Sequence, residues 1–241
     1  MNLILDFGNT FLKVALFEDD QIQFFERISI TETKIIINRL KSKEFENCII
    51  STVVQLDTEI LDFLLKKSIN LIEFSSKTPV PITNLYQTPN TLGKDRLGLA
   101  VAAYTKYTNE NVLVIDAGSC ITVDLVNENG EYLGGSIHPG LEMRYKSLNQ
   151  FTDQLPKIEF DENYFALIGT DTETSIRSGV QTAIIHEIEG TINAYKKDYK
   201  SLKIIVCGGN ANYLATNLKN SIFADEKFLL HGLNQILLFN V

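Results

Sequence analysis

Two short motifs of one form, Asp6-Phe7-Gly8 and Asp116-Ala117-Gly118, constrain this chain more than anything else in it. Each closes an apolar run, NLIL before the first and NVLVI before the second. Each is followed by a returning run. After Asn9 and Thr10, Leu12, Val14 and Leu16 alternate with Lys13, Ala15 and Phe17; after Ser119 comes TVDLVN, Thr122 to Asn127. An apolar run, a turn of small and polar residues and an alternating return predict a β-hairpin. Asp19-Asp20 and Asn129-Gly130 then mark further turns, leading into third strands over Gln21–Ile30 and Glu131–Ile137. A chain that opens the same meander twice is expected to be a pseudo-duplicated α/β protein. The boundary is expected near residue 110, giving an N-terminal domain 1–110 and a C-terminal domain 111–241.

Between the meanders, strands and helices alternate. Thr31–Leu40 is predicted to be a helix with Thr31 as its N-cap, Ile35, Ile36 and Leu40 lying on one side. Cys48–Val54 and Ile69–Phe74 are short strands, and Asp57–Lys67 between them is helical, with Lys66 and Lys67 near its end. Lys77–Asn90 holds Pro79, Pro81 and Pro89 and reads as a loop. A helix is expected over Leu97–Tyr107. In the second half, Asp171–Tyr199 is a long helical stretch with Ile176, Val180, Ile184, Ile188 and Ile192 every four residues, and Lys203–Cys207 is a strand.

Composition narrows the function. At 241 residues the chain can bury a sizeable core without staples. A net charge of -8 disfavours a nucleic-acid partner, which needs a basic surface. The Lys196, Lys197, Lys200 and Lys203 group is interrupted by Asp198 and reads as a solvated helix end. Cys48, Cys120 and Cys207 are scattered with no CxxC pair, which fits a reducing cytoplasm rather than a disulfide framework or zinc site. The longest apolar runs fall far short of the ~20 residues a membrane span needs.

Five segments can carry chemistry. Asp6–Lys13 puts backbone amides and a hydroxyl at a hairpin tip beside a carboxylate, a setting that can cradle phosphate and hold Mg²⁺, though the same residue types make an ordinary turn. Asp116–Thr122 repeats the device, and two such hairpins facing each other across a cleft would grip a polyphosphate from both sides. Gly93-Lys94-Asp95-Arg96 precedes a helix: Asp95 is a candidate general base for phosphoryl transfer and Arg96 a fork for a carboxylate or phosphate, while by spacing alone helix capping is the commoner role. Gly134–Gly140, GGSIHPG, reads either as a backbone-rich loop that can approach a ligand or as a plain connection. Cys207–Ala211, CGGNA, is a strand-to-helix turn suited to an adenosine. There is no GxGxxG and no GxxxxGK[ST], so Rossmann and P-loop readings are excluded. Asp124, Asp171 and Thr172 are polar residues at notable places; Thr172 lies at a helix start, where capping is its bland role.

In order along the chain, DFGNT (Asp6–Thr10), GKDR (Gly93–Arg96), DAGS (Asp116–Ser119), GGSIHPG (Gly134–Gly140) and GTDTETSIRSG (Gly169–Gly179) resemble the motifs of the type III pantothenate kinases. That family is a branch of the acetate and sugar kinase, heat-shock chaperone and actin superfamily. The resemblance implies two ribonuclease-H-like (actin-like) α/β domains with a cleft between them, and a cytoplasmic homodimer. It implies transfer of the ATP γ-phosphate to the primary hydroxyl of pantothenate, the first step of coenzyme A synthesis, with Mg²⁺ and a monovalent cation, K⁺ or NH₄⁺. Carried over by position, Asp6, Phe7, Gly8, Asn9, Thr10, Phe11, Leu12, Lys13 and Ser119 would bind ATP. Asp95 would accept the proton; Tyr86, Gly93, Lys94, Asp95 and Arg96 would contact pantothenate; Asp116 would bind the monovalent cation; Thr172 would reach pantothenate at the dimer interface.

The chain departs from the family pattern in having Ser119 where threonine is usual, Cys120 after it, and Lys94 at a position that is often small. Ser119 keeps the hydroxyl. The alternatives are another actin-fold small-molecule phosphotransferase or a non-enzymatic transcription-accessory regulator. The acidic balance disfavours direct DNA contact, and a dead binding module has no need of Asp6, Asp95 and Asp116 together.

Overall fold

A computed structural model gives the fold and describes residues 1–219 and 223–241. The chain divides into two compact units, Met1–Lys106 with Lys227–Val241, and Tyr107–Glu226. The last 15 residues, expected in the second half, therefore pack with the first.

The first unit is built on a mixed sheet of order β3-β2-β1-β4-β5. Its strands are β1 (Asn2–Phe7), β2 (Phe11–Glu18), β3 (Gln21–Ser29), β4 (Asn47–Thr52) and β5 (Asn70–Glu73). β1–β2 and β2–β3 are antiparallel, β1–β4 and β4–β5 parallel. Alternation sorts the side chains. Leu3, Leu5 and Phe7 join Leu12, Val14 and Leu16 in one cluster, closed by Ile36 and Leu40 of α1 (Ile35–Leu40) and by Ile60 and Leu64 of α2 (Thr58–Lys67). The opposite face, carrying Ile4 and Asp6, is covered by α3 (Lys94–Lys106) and α8 (Phe228–Asn240). Those two helices meet backbone to backbone: a Cβ on Gly232 would overlap the Gly98 carbonyl. α8 is thus bound to the first unit by close packing and by the Asn2–Asn234 side-chain hydrogen bond, 2.9 Å.

Asp57 caps α2 by accepting from the Glu59 amide, 2.9 Å, and Lys67 at its other end donates to the Leu40 and Lys41 carbonyls, 2.7 Å each. Thr31 is not the N-cap of α1. Ser29 caps a 3₁₀ turn over Ile30–Glu32, accepting from the Thr31 amide and sharing a hydrogen bond with the Thr31 hydroxyl, and the helix begins only at Ile35. The proline-bearing stretch contains only a two-residue strand, β6 (Thr83–Asn84), and a 3₁₀ turn over Pro89–Thr91.

The second unit repeats the plan. Its own strands lie in the order β11-β10-β7-β8-β9: β7 (Val112–Ala117), β8 (Cys120–Val126), β9 (Glu131–Pro139), β10 (Lys203–Cys207) and β11 (Phe223–Ala224). β7–β8–β9 is the antiparallel meander and β10 joins β7 in parallel. This matches β1–β2–β3 with β4, so the duplication expected from the paired motifs is present in topology. Leu113, Ile115, Ala117, Ile121, Val123 and Leu125 pack on α4 (Leu141–Gln150), α6 (Ala183–Asp198) and α7 (Ala211–Asn217). The isoleucines at 176, 184, 188 and 192 and Val180 are all in that core. The long helix they predict is interrupted: α5 (Thr172–Arg177) runs into a π-helical turn, Ser178–Thr182, before α6. Gln181 in that turn is fully buried and bonded to the Tyr145 hydroxyl, 2.5 Å, and to the Asp161 carbonyl, 2.7 Å.

GGSIHPG is not a connecting loop. Gly134–Pro139 is the second part of β9, with Gly134↔Leu125 through Pro139↔Cys120 paired along β8, and Gly140 is the N-cap of α4. No helix among the described residues is long and apolar enough to cross a membrane.

Candidate functional site

In the first unit, β1 alternation sends Asp6 to the α3 face, opposite Lys13 on β2 and Ser51 on β4. Burial pushes the Asp6 carboxyl above its ordinary pKa. Lys13 and a hydrogen bond with Ser51 pull it back, and Asp95 raises it again. Asp95 belongs to the first turn of α3, which begins at Lys94 rather than Leu97. Its Oδ1 accepts from the Arg96 amide, 2.8 Å, and a Cβ on Gly93 would overlap that same oxygen. Gly93 is thus the residue that leaves room for the carboxylate. A carboxylate at a helix start is favourable on its own.

Lys94 turns to β4, donating from Nζ to the Thr52 carbonyl at 3.0 Å, and fixes the start of α3 to the strand end beside Asp6. Arg96 is buried, 4% exposed, with its guanidinium 5.5 Å from the ring centroid of half-buried Tyr86. The structure thus brings together Asp6, Tyr86, Gly93, Lys94, Asp95 and Arg96 in one unit. Of the hairpin residues, Phe7 and Leu12 have core side chains, so only their backbone can serve a ligand. The Gly8 amide closes the turn onto the Phe11 carbonyl, 3.0 Å, and Asn9 and Thr10 are exposed at the tip. Phe11 lies under the Arg27 guanidinium, 4.0 Å from its ring centroid.

The second unit holds the rest. Phe7↔Leu12 closes the first hairpin and Ala117↔Ile121 the second, so the second turn is one residue tighter, with the Gly118 amide on the Cys120 carbonyl at 3.0 Å. Ser119 and Cys120 are exposed at its tip. Asp116 lies opposite Thr122, whose buried hydroxyl has no hydrogen-bond partner among the described residues. Gly208 is in the left-handed region, φ +89°, and a Cβ there would overlap an Asp116 carboxylate oxygen. Asp124 is buried and accepts from the Tyr132 hydroxyl, 2.7 Å, a structural pairing. Thr172 is the exposed first residue of α5, and Asp171, not Thr172, caps the helix in a capping box with Thr174. Among the described residues no three His, Cys, Asp or Glu side chains cluster to hold a metal ion.

Sequence reasoning missed Ser51 and Thr52. Ser51 comes beside Asp6 only through the β1–β4 register, and Thr52 takes part through its carbonyl, which accepts from Lys94.

A family model described as type III pantothenate kinase matches residues 2–194. The type III pantothenate kinase of Christiangramia forsetii is 44% identical over 250 residues, covering 100% of this chain and 99% of that protein. That of Bacteroides fragilis is 42% identical over 243 residues, covering 100% and 98%. Among solved structures, a conserved Baf family protein of Campylobacter jejuni superposes with a TM-score of 0.63 at 22% identity, covering 99% of this chain and 98% of that one. A glucokinase from an Antarctic psychrotroph gives 0.53 at 10% identity, covering 99% of each chain. These likenesses to solved structures establish the actin-like kinase fold; the family follows from the model match and the full-length relatives. The chain belongs to the type III pantothenate kinase family.

Proposed function

We propose that this chain transfers the γ-phosphoryl group of ATP to the primary hydroxyl of pantothenate, giving 4′-phosphopantothenate and ADP, the first step of coenzyme A synthesis. The observation that carries the reading is the juxtaposition of Asp95 with Asp6, Lys13 and Arg96 in the first unit, in a chain of this family. Asp95 is the proton acceptor: it takes the hydroxyl proton as the oxygen bonds to the γ-phosphorus and the bond to ADP breaks. Arg96, oriented against Tyr86, holds the carboxylate of pantothenate, and Lys94 keeps the helix start in register. Within the first unit the exposed hairpin tip at Asn9–Thr10 is an ATP contact, and within the second unit the exposed Ser119 is one.

Mg²⁺ bound with ATP supplies neutralisation of the phosphate charge. Asp6 fits that group, since a partly buried carboxylate pushed up by burial and by Asp95 is relieved by a cation. Asp116, with the orphaned Thr122 hydroxyl opposite, would hold the monovalent cation, K⁺ or NH₄⁺. The chain works as a cytoplasmic homodimer. The second unit exposes Phe151 (85%), Leu167 (73%) and Ile168 (77%), apolar area that a second copy would cover, and Thr172 would reach pantothenate there.

The test is ADP release by purified protein with ATP, Mg²⁺ and pantothenate, in K⁺ and again in Na⁺ alone. Pantothenate-dependent turnover that collapses in Na⁺ is expected. Absence of turnover in both buffers by folded protein contradicts the reading.

A further inference from the structure

The corner between β9 and α4 backs the second Asp-x-Gly hairpin. A Cβ on Gly140 would overlap the Ser119 carbonyl oxygen and lie 2.7 Å from that of Gly118. Nothing can therefore come between the corner and the hairpin, and a shift of one is felt by the other.

Three polar side chains, Arg144, Glu187 and His138, converge on this corner. Arg144, in the second turn of α4, donates from Nε to the Pro139 carbonyl at 2.8 Å. Its two terminal nitrogens fork onto Glu187 of α6, Nη2 to Oε1 at 3.0 Å and Nη1 to Oε2 at 2.9 Å. The Nδ1 of His138 lies 2.6 Å from the same Oε1, and its Nε2 lies 2.7 Å from the Ser136 hydroxyl. Burial acts to raise the Glu187 pKa, but hydrogen bonds and charge from Arg144 and His138 outweigh it and hold the carboxyl below its ordinary value. The cluster ties β9, α4 and α6 to two consecutive residues, Pro139 and Gly140. A planar fork of this kind fixes geometry as well as charge.

We propose that Arg144, Glu187 and His138 are positioning residues for nucleotide: through the Pro139–Gly140 corner they hold the Gly118–Ser119 hairpin in the shape that meets the ATP phosphates. This rests on reading that hairpin as an ATP contact. Preorganised amides lose much of their value when their frame loosens. Arg144→Lys removes the Nε donor to the Pro139 carbonyl, and Glu187→Gln weakens the fork that orients the guanidinium for that bond; either lets the corner relax from the hairpin, so nucleotide affinity falls. Of the residues read as pantothenate contacts, Tyr86 and Gly93–Arg96 belong to the first unit and Thr172 begins α5 in the second; none is part of the Arg144–Glu187–His138 cluster or its corner, so the pantothenate KM is expected to hold.

The experiment titrates a non-hydrolysable ATP analogue with Mg²⁺ into wild type, Glu187→Gln and Arg144→Lys, the second keeping the charge while losing the fork. Thermal melts establish that each variant is folded. The nucleotide Kd is expected to rise roughly tenfold to a hundredfold, the scale of a displaced positioning group, with the pantothenate KM within about twofold of wild type. A lowered Tm with an unchanged Kd in both variants marks a structural brace and overturns the proposal. If wild type binds the analogue but never phosphorylates pantothenate, the acceptor assignment fails while the Kd comparison still decides this inference. If wild type does not bind the analogue, both fall.

Discussion

The negative charge of Asp95, at the first turn of α3, reaches Asp6 near the end of β1 and helps raise its pKa, adding to the larger effect of burial. Two acids distant in sequence are thus set side by side by strand alternation and by the packing of α3 on that face. Lys13 and Ser51 oppose the shift without abolishing it. A pair of this kind carries a cost in the empty protein and becomes useful when a cation and phosphates arrive, which is common at functional sites.

Asp95→Asn keeps the size of the side chain and its acceptor oxygen toward the Arg96 amide. It is expected to fold normally and to lower kcat by on the order of 10²–10⁴, the range for a lost general base. Steady-state kinetics check this. A kcat within twofold of wild type removes Asp95 from the role.

Asp6→Asn tests the burden that burial places on the acid. The folded chain holds the Asp6 proton to higher pH than the unfolded chain does. Stability therefore falls as pH rises from the ordinary carboxylate pKa through the raised one. The variant should melt above wild type at pH 7, by about 2–4 °C for each kcal/mol relieved. The gap should close as pH falls through the ordinary carboxylate range, about 4, where the unfolded chain takes up the proton as well. Activity should fall at the same time. A variant that melts no higher than wild type at pH 7 contradicts this account of Asp6.

Gly93→Ala places a methyl group where the Asp95 carboxylate oxygen lies. The carboxylate must move while its charge is retained. A loss of about tenfold to a hundredfold in kcat is expected, with the melting temperature nearly unchanged. Unaltered kinetics would mean that the Asp95 rotamer does not matter.

Cysteine labelling reads the second hairpin. Cys120 is exposed at its tip, whereas Cys48 and Cys207 are buried, and burial pushes the Cys48 thiol well up. Iodoacetamide on native protein should alkylate Cys120 alone, and ATP with Mg²⁺ should slow it severalfold. Peptide mass spectrometry checks both. A labelling rate at Cys120 indifferent to nucleotide argues against the hairpin as a phosphate contact.

Both meanders were legible because each strand carries its own pattern and each turn its own chemistry. The buried isoleucine row of the long helix was legible for the same reason, although the π turn around Gln181 was not, since periodicity does not register one extra residue per turn. α8 escaped notice because FLLHGLNQILLFN is apolar on nearly all sides and lacks a capping side chain, so no polar face marks it. Its packing with the first unit depends on Gly98, Gly232 and Asn234, residues with no sequence signal of pairing. The glycines of GGSIHPG suggested a loop because propensity favours one there, and pairing with β8 overrode it. At the site, motif residues were readable, but the pairing of Ser51 with Asp6 and the convergence of Arg144, Glu187 and His138 emerged only from register and packing.

The most direct measurement is product analysis by mass spectrometry after the purified chain is incubated with ATP, Mg²⁺, K⁺ and pantothenate. The account predicts that pantothenate gains one phosphoryl group, located on its primary hydroxyl by fragmentation, in amounts equal to the ADP formed. Folded protein that binds ATP yet leaves pantothenate unmodified, or forms ADP without a phosphorylated acceptor, would contradict it.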